Sequence, residues 1–450
     1  MFGPLLCSKQ VDTFGQECLE EEKYTYKYRG EVDIPPLGMV DDLICVSECG
    51  FKTSMVNSYI KFQTNSKKLQ FGVSKCKKIH IGKTCEDFKC QTLNVDNWAE
   101  VEVVNEDTAS ISIEDCFMGE EEMENKQEEK YLGDIISHDG RNIKNIKARV
   151  NKGTGIVNNI MTKLEGIPFG KYYFEVAIIL RNSLLVSSMI FNSESWYNVT
   201  NAELDLLETV DLMLMRNILK APKSTPKEML YLELGCVPFR DLIRKRRLSF
   251  LHYILNENSK SLIHRFLMVQ LKGRNKKDWV STVLTDLEEL DLNLNLDDIK
   301  AMKKSCFNNL LKQKTKNKAL KELENLKISH SKVKNVKHKM IQMRKYFMPN
   351  EVNATKEEIQ LIFKLKCRVT DTKMNFKGIY DTYECDVCGK EDESQAHLLE
   401  CTDIVSMNKQ INELPKYDDI FDGNVFQQVN IARIFKQNIN IRENIIKNVK

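Results

Sequence analysis

The chain has 450 residues, of which 42% are hydrophobic and 29% are charged, with 19 Gly and 9 Pro. This length is enough for about three domains, and the composition excludes a peptide, a disordered chain, collagen and a low-complexity polymer. The net charge of +3 combines two opposite segments: residues 86–130 hold fifteen acidic residues and three lysines, and residues 301–350 hold fourteen Lys or Arg and two Glu. The acidic segment predicts an exposed insertion. The basic segment predicts either a surface that faces a polyanion or a solvated helix face.

The fourteen cysteines are mostly scattered along the chain. Scattered cysteines are typical of small buried hydrophobic side chains in a reducing compartment. The first ten residues, MFGPLLCSKQ, have neither the basic start nor the apolar run of a signal peptide, and charged residues interrupt the apolar stretch between Tyr172 and Phe191. We therefore expect an intracellular chain that does not span a membrane.

The N-terminal part of the chain has the pattern of strands and turns. Residues 34–49 contain two short apolar arms on either side of Asp41 and Asp42, which predicts a β-hairpin with its acidic residues at the tight turn. A second strand is predicted at Leu69–Val73. A third is predicted at Lys130–Ser137, where an Asp-Gly turn follows.

From about residue 142 onward the hydrophobic period is that of helices. Thr200 and Glu203 form a capping box, so we expect a helix that begins there and ends before Pro222. Thr225, followed by a proline at the first helical position, predicts another helix that ends at Gly235.

Two further helices are predicted in the C-terminal two-thirds. One covers residues 238–255 and has an apolar face and a basic face, while the other begins at Thr355 with a capping Glu358. The basic side chains of the first are Arg240, Arg244, Lys245, Arg246 and Arg247. The predicted fold class is α+β, with a few antiparallel strands followed by a mainly α-helical assembly.

The sharpest local motif is Cys385-x2-Cys388-x8-His397-x3-Cys401. Three thiolates and one imidazole match the tetrahedral preference of Zn²⁺, and four protein ligands leave no position for water, so the predicted site is structural. The alternative is a disulfide with an unrelated histidine, which a reducing compartment disfavours. Basic residues precede the cluster, as expected of a module that follows a phosphate backbone; among them are Lys364, Lys366 and Arg368.

The second motif is the pair Asp41-Asp42. Two adjacent carboxylates on a hairpin turn can hold Mg²⁺, which in nucleotidyl transfer binds the attacking and leaving oxygens. The alternative is an ordinary surface turn, because Asp favours turns. The pair needs other motifs before it indicates a function.

Five motifs occur in order along the chain, namely Gly3–Leu6, Met39–Asp42, Leu69–Lys77, Tyr131–Ile136 and, after a helical region, the Cys-Cys-His-Cys cluster. Together they resemble the C-terminal part of a non-LTR (LINE-type) retrotransposon reverse transcriptase. The resemblance covers nearly the whole chain. It implies a partial polymerase palm followed by a mainly helical thumb and connector and a CCHC zinc knuckle.

The resemblance also implies roles for particular residues. Asp41 would be the main Mg²⁺ ligand and Asp42 its companion, with Met39 where an aromatic residue is usual. Lys75 would lie near the phosphates of the incoming nucleotide, although an ordinary solvent-facing lysine is the alternative. Tyr131–Ile136 would support the primer end, and the basic residues of the 238–255 helix would grip the template-primer duplex, with solvation of a helix face as their alternative.

The chain departs from the family in one respect. Family members carry another catalytic Asp and a Gln-Gly ahead of the segment that matches Gly3–Leu6, and this sequence begins past both. We therefore expect a truncated reverse transcriptase in which template-primer binding is favoured over autonomous polymerisation. Two alternatives are a non-catalytic RNA- or DNA-binding protein and the product of a decayed element with no cellular role.

The expected partners are an RNA template, a DNA primer and a chain that supplies the missing palm and fingers, with Mg²⁺ and Zn²⁺ as cofactors. The resemblance places such a protein in the cytoplasm and nucleus. The expected divisions are a partial palm at 1–82, the acidic insertion and primer-supporting hairpin at 83–140, a thumb at 141–260, a basic connector at 261–350, and a helix with the zinc knuckle and tail at 351–450.

Overall fold

The fold is described from a computed structural model. It describes residues 26–39, 42–47, 56–57, 60, 76–79, 81, 117–118, 121–122, 124–167, 172–273, 277–330, 333–336, 341–348, 352–376, 378–408 and 414–449. The chain divides into two compact units. The N-terminal unit comprises residues 1–145, 196–198 and 253–282, and the helical unit comprises 146–195, 199–252 and 283–450.

The strands of the described residues are short and form two-stranded sheets. They are β1 Tyr26–Tyr28, β2 Val32–Ile34, β3 Leu37–Met39, β4 Asp42–Ile44, β5 Lys77–Lys78, β6 Phe117–Met118, β7 Glu121–Glu122, β8 Glu124–Asn125, β9 Glu128–Tyr131 and β10 Asp134–Ser137. The pairs β1–β2, β3–β4, β6–β7 and β9–β10 are antiparallel, and β5–β8 is parallel. The acidic segment therefore contains short paired strands.

The hairpin predicted around the two aspartates is present in the backbone. Strands β3 and β4 pair so that Met39 lies opposite Asp42, which leaves residues 40 and 41 as the connection. Asp41 itself lies outside the described residues. The predicted strand Leu69–Val73 and Lys75 lie outside them too.

The segment predicted as one strand at Lys130–Ser137 is a hairpin, so that prediction is wrong in detail. Strands β9 and β10 pair with Tyr131 opposite Asp134. Leu132 and Gly133 between them have φ angles of 46° and 91°. Two consecutive residues with positive φ reverse the chain in a two-residue hairpin turn, and alternating apolar residues on both sides hid this turn in the sequence.

In the N-terminal unit, the β1–β2 hairpin packs on helix α7 (Leu262–Gly273). The ring centres of Tyr28 and Phe266 are 4.7 Å apart. Beside them, Lys272 Nζ lies 2.7 Å from a carboxylate oxygen of Glu31. Aromatic packing and an exposed ion pair thus connect residues that are more than two hundred positions apart in the sequence.

The remainder of the described chain is mostly helical. The other helices are α1 Ile143–Glu165, α2 Tyr173–Leu180, α3 Ser187–Met189, α4 Asn201–Leu219, α5 Lys227–Leu234, α6 Phe239–Asn256, α8 Trp279–Glu289, α9 Leu296–Ala301, α10 Lys304–Ser329, α11 Lys356–Lys366, α12 Gln395–Glu400, α13 Thr402–Met407, α14 Asp419–Asp422 and α15 Val425–Val449. A π-helical turn, Arg181–Val186, joins α2 to α3.

The predicted helix ends are largely confirmed. Both capping boxes form: the Thr200 and Thr355 hydroxyls accept from the backbone N–H of the glutamates three residues later, and those carboxylates accept in return. Gly235 ends α5 with a φ of 69°. The sequence predicted Pro226 at the first helical position of α5, but it lies at the N-cap, one residue earlier, and makes no side-chain capping hydrogen bond.

A buried ion pair lies at the centre of the helical unit. The Arg181 guanidinium, 2% exposed, donates to both carboxylate oxygens of Asp211 at 2.7 and 2.6 Å and to the Val237 carbonyl at 3.0 Å. Since every charged oxygen and the guanidinium face a partner, the pair can remain ionised within an apolar core. Arg181, which interrupts the apolar stretch 172–191, thus joins the π-helical turn after α2 to α4.

Candidate metal centre

Cys385, Cys388, His397 and Cys401 come together as the sequence predicts. One ligand atom of each, Sγ of the cysteines and a ring nitrogen of the histidine, lies within 4.8 Å of the others. Cys385 and Cys401 are buried, whereas Cys388 and His397 are half-buried. The four residues thus form a compact cluster of three sulfur donors and one nitrogen donor.

Local backbone geometry places each cysteine. The loop that holds Cys385 and Cys388 turns back at Gly389, where φ is 63° and the N–H donates to the Cys385 carbonyl at 2.8 Å. Glycine adopts this left-handed conformation without strain. Cys401 lies at the junction of α12 and α13, so the end of one short helix and the start of the next hold its Sγ beside His397.

Burial raises the pKa values of the cysteine thiols, and hydrogen bonds from backbone N–H groups lower them. Burial raises the pKa of Cys385 to about 12 although the N–H groups of Cys388 and Val387 lower it, and burial also raises the pKa of Cys401. For Cys388 burial is outweighed by hydrogen bonds from the N–H groups of Lys390 and Glu391 and from the neighbouring ligands, which lower its pKa to about 7. N–H groups that point at sulfur stabilise thiolates, the form that binds metal.

The histidine is oriented by a carboxylate. Its Nε2 faces the cluster, 3.3 Å from Cys388 Sγ, and its Nδ1 lies 3.1 Å from a carboxylate oxygen of Glu391. A carboxylate at the far nitrogen fixes the tautomer that presents a lone pair to the metal. Glu391 is therefore a positioning residue of the centre.

The cluster fits zinc. A tetrahedral ion about 2.3 Å from sulfur and about 2.0 Å from nitrogen separates two such ligands by roughly 3.5 Å, close to the 3.3 Å between Cys388 Sγ and His397 Nε2. Three thiolates with one imidazole are the donor set of structural zinc sites. The centre can hold one ion and stabilise the fold, with no ligand position left for water.

The centre is bonded to the last long helix, α15. Glu393, fully buried, accepts from Arg442 of α15 at 2.7 Å through each of its two carboxylate oxygens. Asn438 of α15 donates to the Leu398 carbonyl of α12 at 2.8 Å. Because α11 and α14 also pack on α15, residues 352–449 form one module around the metal loop.

The arginines predicted to grip a duplex are engaged inside the helical unit. Arg240 donates to Glu208 at 2.7 Å, and Arg247 donates to both carboxylate oxygens of Asp286, at 2.6 and 2.9 Å. Arg244 lies 2.7 Å from Asp241 and also faces Asp286 and Glu289. These three guanidinium groups hold α6 to its neighbours, which accounts for their charge without an external partner.

Lys245 and Arg246 differ from those arginines. Arg246 is 40% exposed and its guanidinium donates to the Ile190 carbonyl at 2.7 Å, with Glu194 at 3.6 Å. Lys245 is half-buried, and burial together with the charges of Lys312 and Arg246 lowers its pKa. Their charge remains at the surface of the unit.

The three basic residues predicted near α11 also have different surroundings. Lys366 is buried, 3.9 Å from Glu233 and 4.6 Å from the Tyr346 ring centre, and Arg368 lies beside the Tyr417 hydroxyl. Lys364 is half-buried, and burial and the charge of Lys220 lower its pKa. Of the three, Lys364 is the one whose charge lies near a second cation, that of Lys220.

Sequence reasoning missed several residues of the site. Glu391, Glu393 and Arg442 are ordinary charged residues in the sequence, and they gain a role only when the chain brings the metal loop to α15. Glu391 had one local signal, since it lies six residues before the histidine it contacts. For Lys220 and Lys312, nothing in the sequence besides their charge indicated a functional role.

Comparison with protein-family models gives no match, and comparisons with curated proteins and with solved structures give none either. Among the helices of the described residues, none combines the length and apolar character needed to cross a membrane. The mostly helical fold and the Cys3His centre are therefore the observations from which a function can be argued.

Proposed function

We propose that this chain is a nucleic-acid-binding protein whose C-terminal module is folded by one zinc ion, with an RNA template and a DNA primer as its partners. The observation that carries the proposal is the closed Cys3His centre, all of whose ligand atoms lie within 4.8 Å of one another. Two lysines, one in its module and one beside it, have no acidic partner among the described residues. The centre supplies structure, and the cations supply affinity for phosphates.

The cations next to the module are Lys220 at the end of α4 and Lys364 of α11. Gln360 Nε2 donates to the Ile218 carbonyl at 2.8 Å, which fixes α11 against the end of α4. Lys364 lies one helical turn after Gln360, and its lowered pKa reflects burial and the charge of Lys220. Among the described residues, neither lysine has an acidic partner within 4.0 Å.

Two like charges held together are destabilising unless an anion joins them. Phosphates of a nucleic-acid backbone are anions that occur in a row, so one strand can contact both lysines. The zinc centre fixes α15, α15 packs on α11, and α11 carries Lys364. Metal binding and phosphate binding are thereby coupled through one folded module.

The test is the affinity of the zinc-loaded chain for a labelled RNA–DNA duplex of about 20 base pairs, measured by fluorescence anisotropy at several salt concentrations. We expect Lys220→Gln/Lys364→Gln to reduce the log-log salt slope by about 2, since each phosphate contact contributes about 0.9. The matched control, Lys436→Gln/Lys447→Gln, removes two exposed charges from α15 of the same module. Equal slopes for the two variants would contradict the assignment of these lysines.

A second candidate function is RNA-directed DNA polymerisation, to which the resemblance points. The observation that favours it is the register of the β3–β4 hairpin, in which Met39 pairs with Asp42. In this proposal Asp41 and Asp42 hold Mg²⁺, and Lys75 lies near the nucleotide phosphates. Primer extension on an RNA template with Mg²⁺, absent in Asp41→Asn/Asp42→Asn, would support it; duplex binding without extension would leave the binding function alone.

A further inference from the structure

Helices α6 and α10 lie side by side and run in opposite directions. Near the start of α6, Asp241 faces Lys318 of α10 at 3.9 Å. Two turns later on α6, Ser249 Oγ donates to Asn308 Oδ1 at 2.8 Å. As residue numbers rise on one helix they fall on the other, so the two contacts fix the register of the pair.

The register places lysines of α6 and α10 at the same position along the axis of the helix pair. Lys245 lies one turn from both Asp241 and Ser249 on α6, and Lys312 lies one turn from Asn308 on α10. Lys245 lies between Asp241 and Ser249, and Lys312 lies between the residues they face, Lys318 and Asn308, so the register sets the two lysines opposite each other. Burial and the charge of Lys312 both lower the pKa of Lys245. Lys316, exposed, follows Lys312 by one more turn.

Charge is divided between two sides of this helix pair. On one side Arg244, Arg247 and Lys318 face acidic residues, with Arg247 2.6 Å from Asp286. On the other side Lys245, Lys312 and Lys316 have no acidic side chain within 4.0 Å among the residues that the structure describes. The lysine cluster therefore lacks the acidic partners that Arg244, Arg247 and Lys318 have.

A solvated helix face does not account for the cluster fully, because Lys245 is half-buried and the register of the two helices sets it opposite another cation, Lys312. An external row of anions does account for it. The lysines of α10 lie one turn, about 6 Å, apart along the helix. That spacing suits successive charges of a polymer better than a single small anion.

We propose that Lys245, Lys312 and Lys316 form a second contact surface for the phosphate backbone, on the α6–α10 pair and separate from the zinc module. The surface rests on the proposed function, that the chain binds nucleic acid. It joins Lys245 of the predicted basic helix 238–255 to Lys312 and Lys316 of the basic segment 301–350, for which the sequence predicted either a polyanion-facing surface or a solvated helix face. Because the lysines contact phosphates and not base edges, the surface contributes affinity without sequence preference.

The experiment compares two triple variants of the full zinc-loaded chain on the same labelled RNA–DNA duplex. Lys245→Gln/Lys312→Gln/Lys316→Gln removes the cluster. The control, Lys314→Gln/Lys321→Gln/Lys327→Gln, removes the same charge from α10 outside the cluster. Lys314 and Lys321 lie on the opposite face of the helix, and Lys314 and Lys327 are paired with acids. We expect the first variant to lower the log-log salt slope by about 2 to 3 and the affinity at least tenfold, with little change in the control.

Equal slopes for both variants, with the wild-type chain binding the duplex, would overturn this surface while leaving the proposed function in place. A wild-type chain that binds no duplex would overturn both. Competition by poly-glutamate as effective as competition by RNA would also overturn the surface as a nucleic-acid site. If the triple variant unfolds, Lys312→Gln/Lys316→Gln gives the same test with exposed positions alone and an expected slope change of about 2.

Discussion

Arg442, near the end of the last helix, donates two hydrogen bonds of 2.7 Å to Glu393 in the loop between the second and third zinc ligands. Glu393 is fully buried and Arg442 is 7% exposed. The backbone N–H of Lys373 donates to Glu393 as well, at 3.1 Å. The carboxylate thus connects the metal loop, the segment after α11 and α15.

Removing the arginine leaves a buried carboxylate without its cation. We expect Arg442→Met to destabilise the C-terminal module by about 3 to 5 kcal/mol, since breaking one side of a buried pair costs that much. The double variant Arg442→Met/Glu393→Gln removes both charges and should recover most of the loss. Denaturant unfolding followed by circular dichroism measures both, and a double variant no better than the single one would contradict the interpretation.

Zinc binding should depend on the four clustered residues and on no scattered cysteine. We expect close to one zinc ion per chain in the wild type and in Cys306→Ser, because Cys306 is an exposed cysteine away from the cluster. Cys401→Ser should lose the metal and the stability of residues 352–449, because metal binding supplies folding free energy. Metal analysis of the purified chains checks this prediction, and zinc retained by Cys401→Ser would refute the assignment.

Two glycines of α1 provide a matched pair. A Cβ on Gly153 would lie 2.5 Å from Met189 Sδ and 3.0 Å from Val210 Cγ1, whereas nothing lies within 4 Å of a Cβ on Gly155. We expect Gly155→Ala to stabilise the chain by about 0.5 to 1 kcal/mol through helix propensity, and Gly153→Ala to destabilise it by overpacking. Thermal melts of the two variants should shift in opposite directions.

Glu322 of α10 should reduce stability at neutral pH. Burial raises its pKa, and the carboxylate of Asp241 raises it further. A carboxyl with a folded pKa above its unfolded value costs stability when it is ionised, and the cost disappears below the unfolded pKa of about 4.3.

We therefore expect Glu322→Gln to raise the melting temperature at pH 7 and to have little effect near pH 4. Glu324→Gln, on the exposed side and paired with Lys327, is the control and should stay within about 0.5 kcal/mol at both values. A variant of Glu322 that is less stable than wild type at pH 7 would show that its charge is compensated.

The features that the sequence predicted correctly are local ones. The Cys3His cluster lies within seventeen residues, each capping box joins residues three positions apart, and Met39 pairs with Asp42 only three positions later. Such patterns are determined by neighbours along the chain. The turn at Leu132 was missed because leucine seldom adopts a positive φ.

The features that the sequence did not predict depend on distant partners. Arg442 meets Glu393 across 49 positions, and Arg247 meets Asp286 across 39. The basic pattern of α6 therefore suggested one binding surface, although Arg240, Arg244 and Arg247 pair internally and Lys245 lies opposite a lysine of α10. Charge counts along a sequence do not distinguish a buried ion pair from a free cation.

Zinc-dependent nucleic-acid binding is best tested by the salt dependence of duplex binding by the full chain, with zinc and after zinc removal by a chelator. We expect a steep fall in affinity with salt for the zinc-loaded chain and a large loss of binding once zinc is removed. A flat salt response, or binding that is unchanged without zinc, would contradict it.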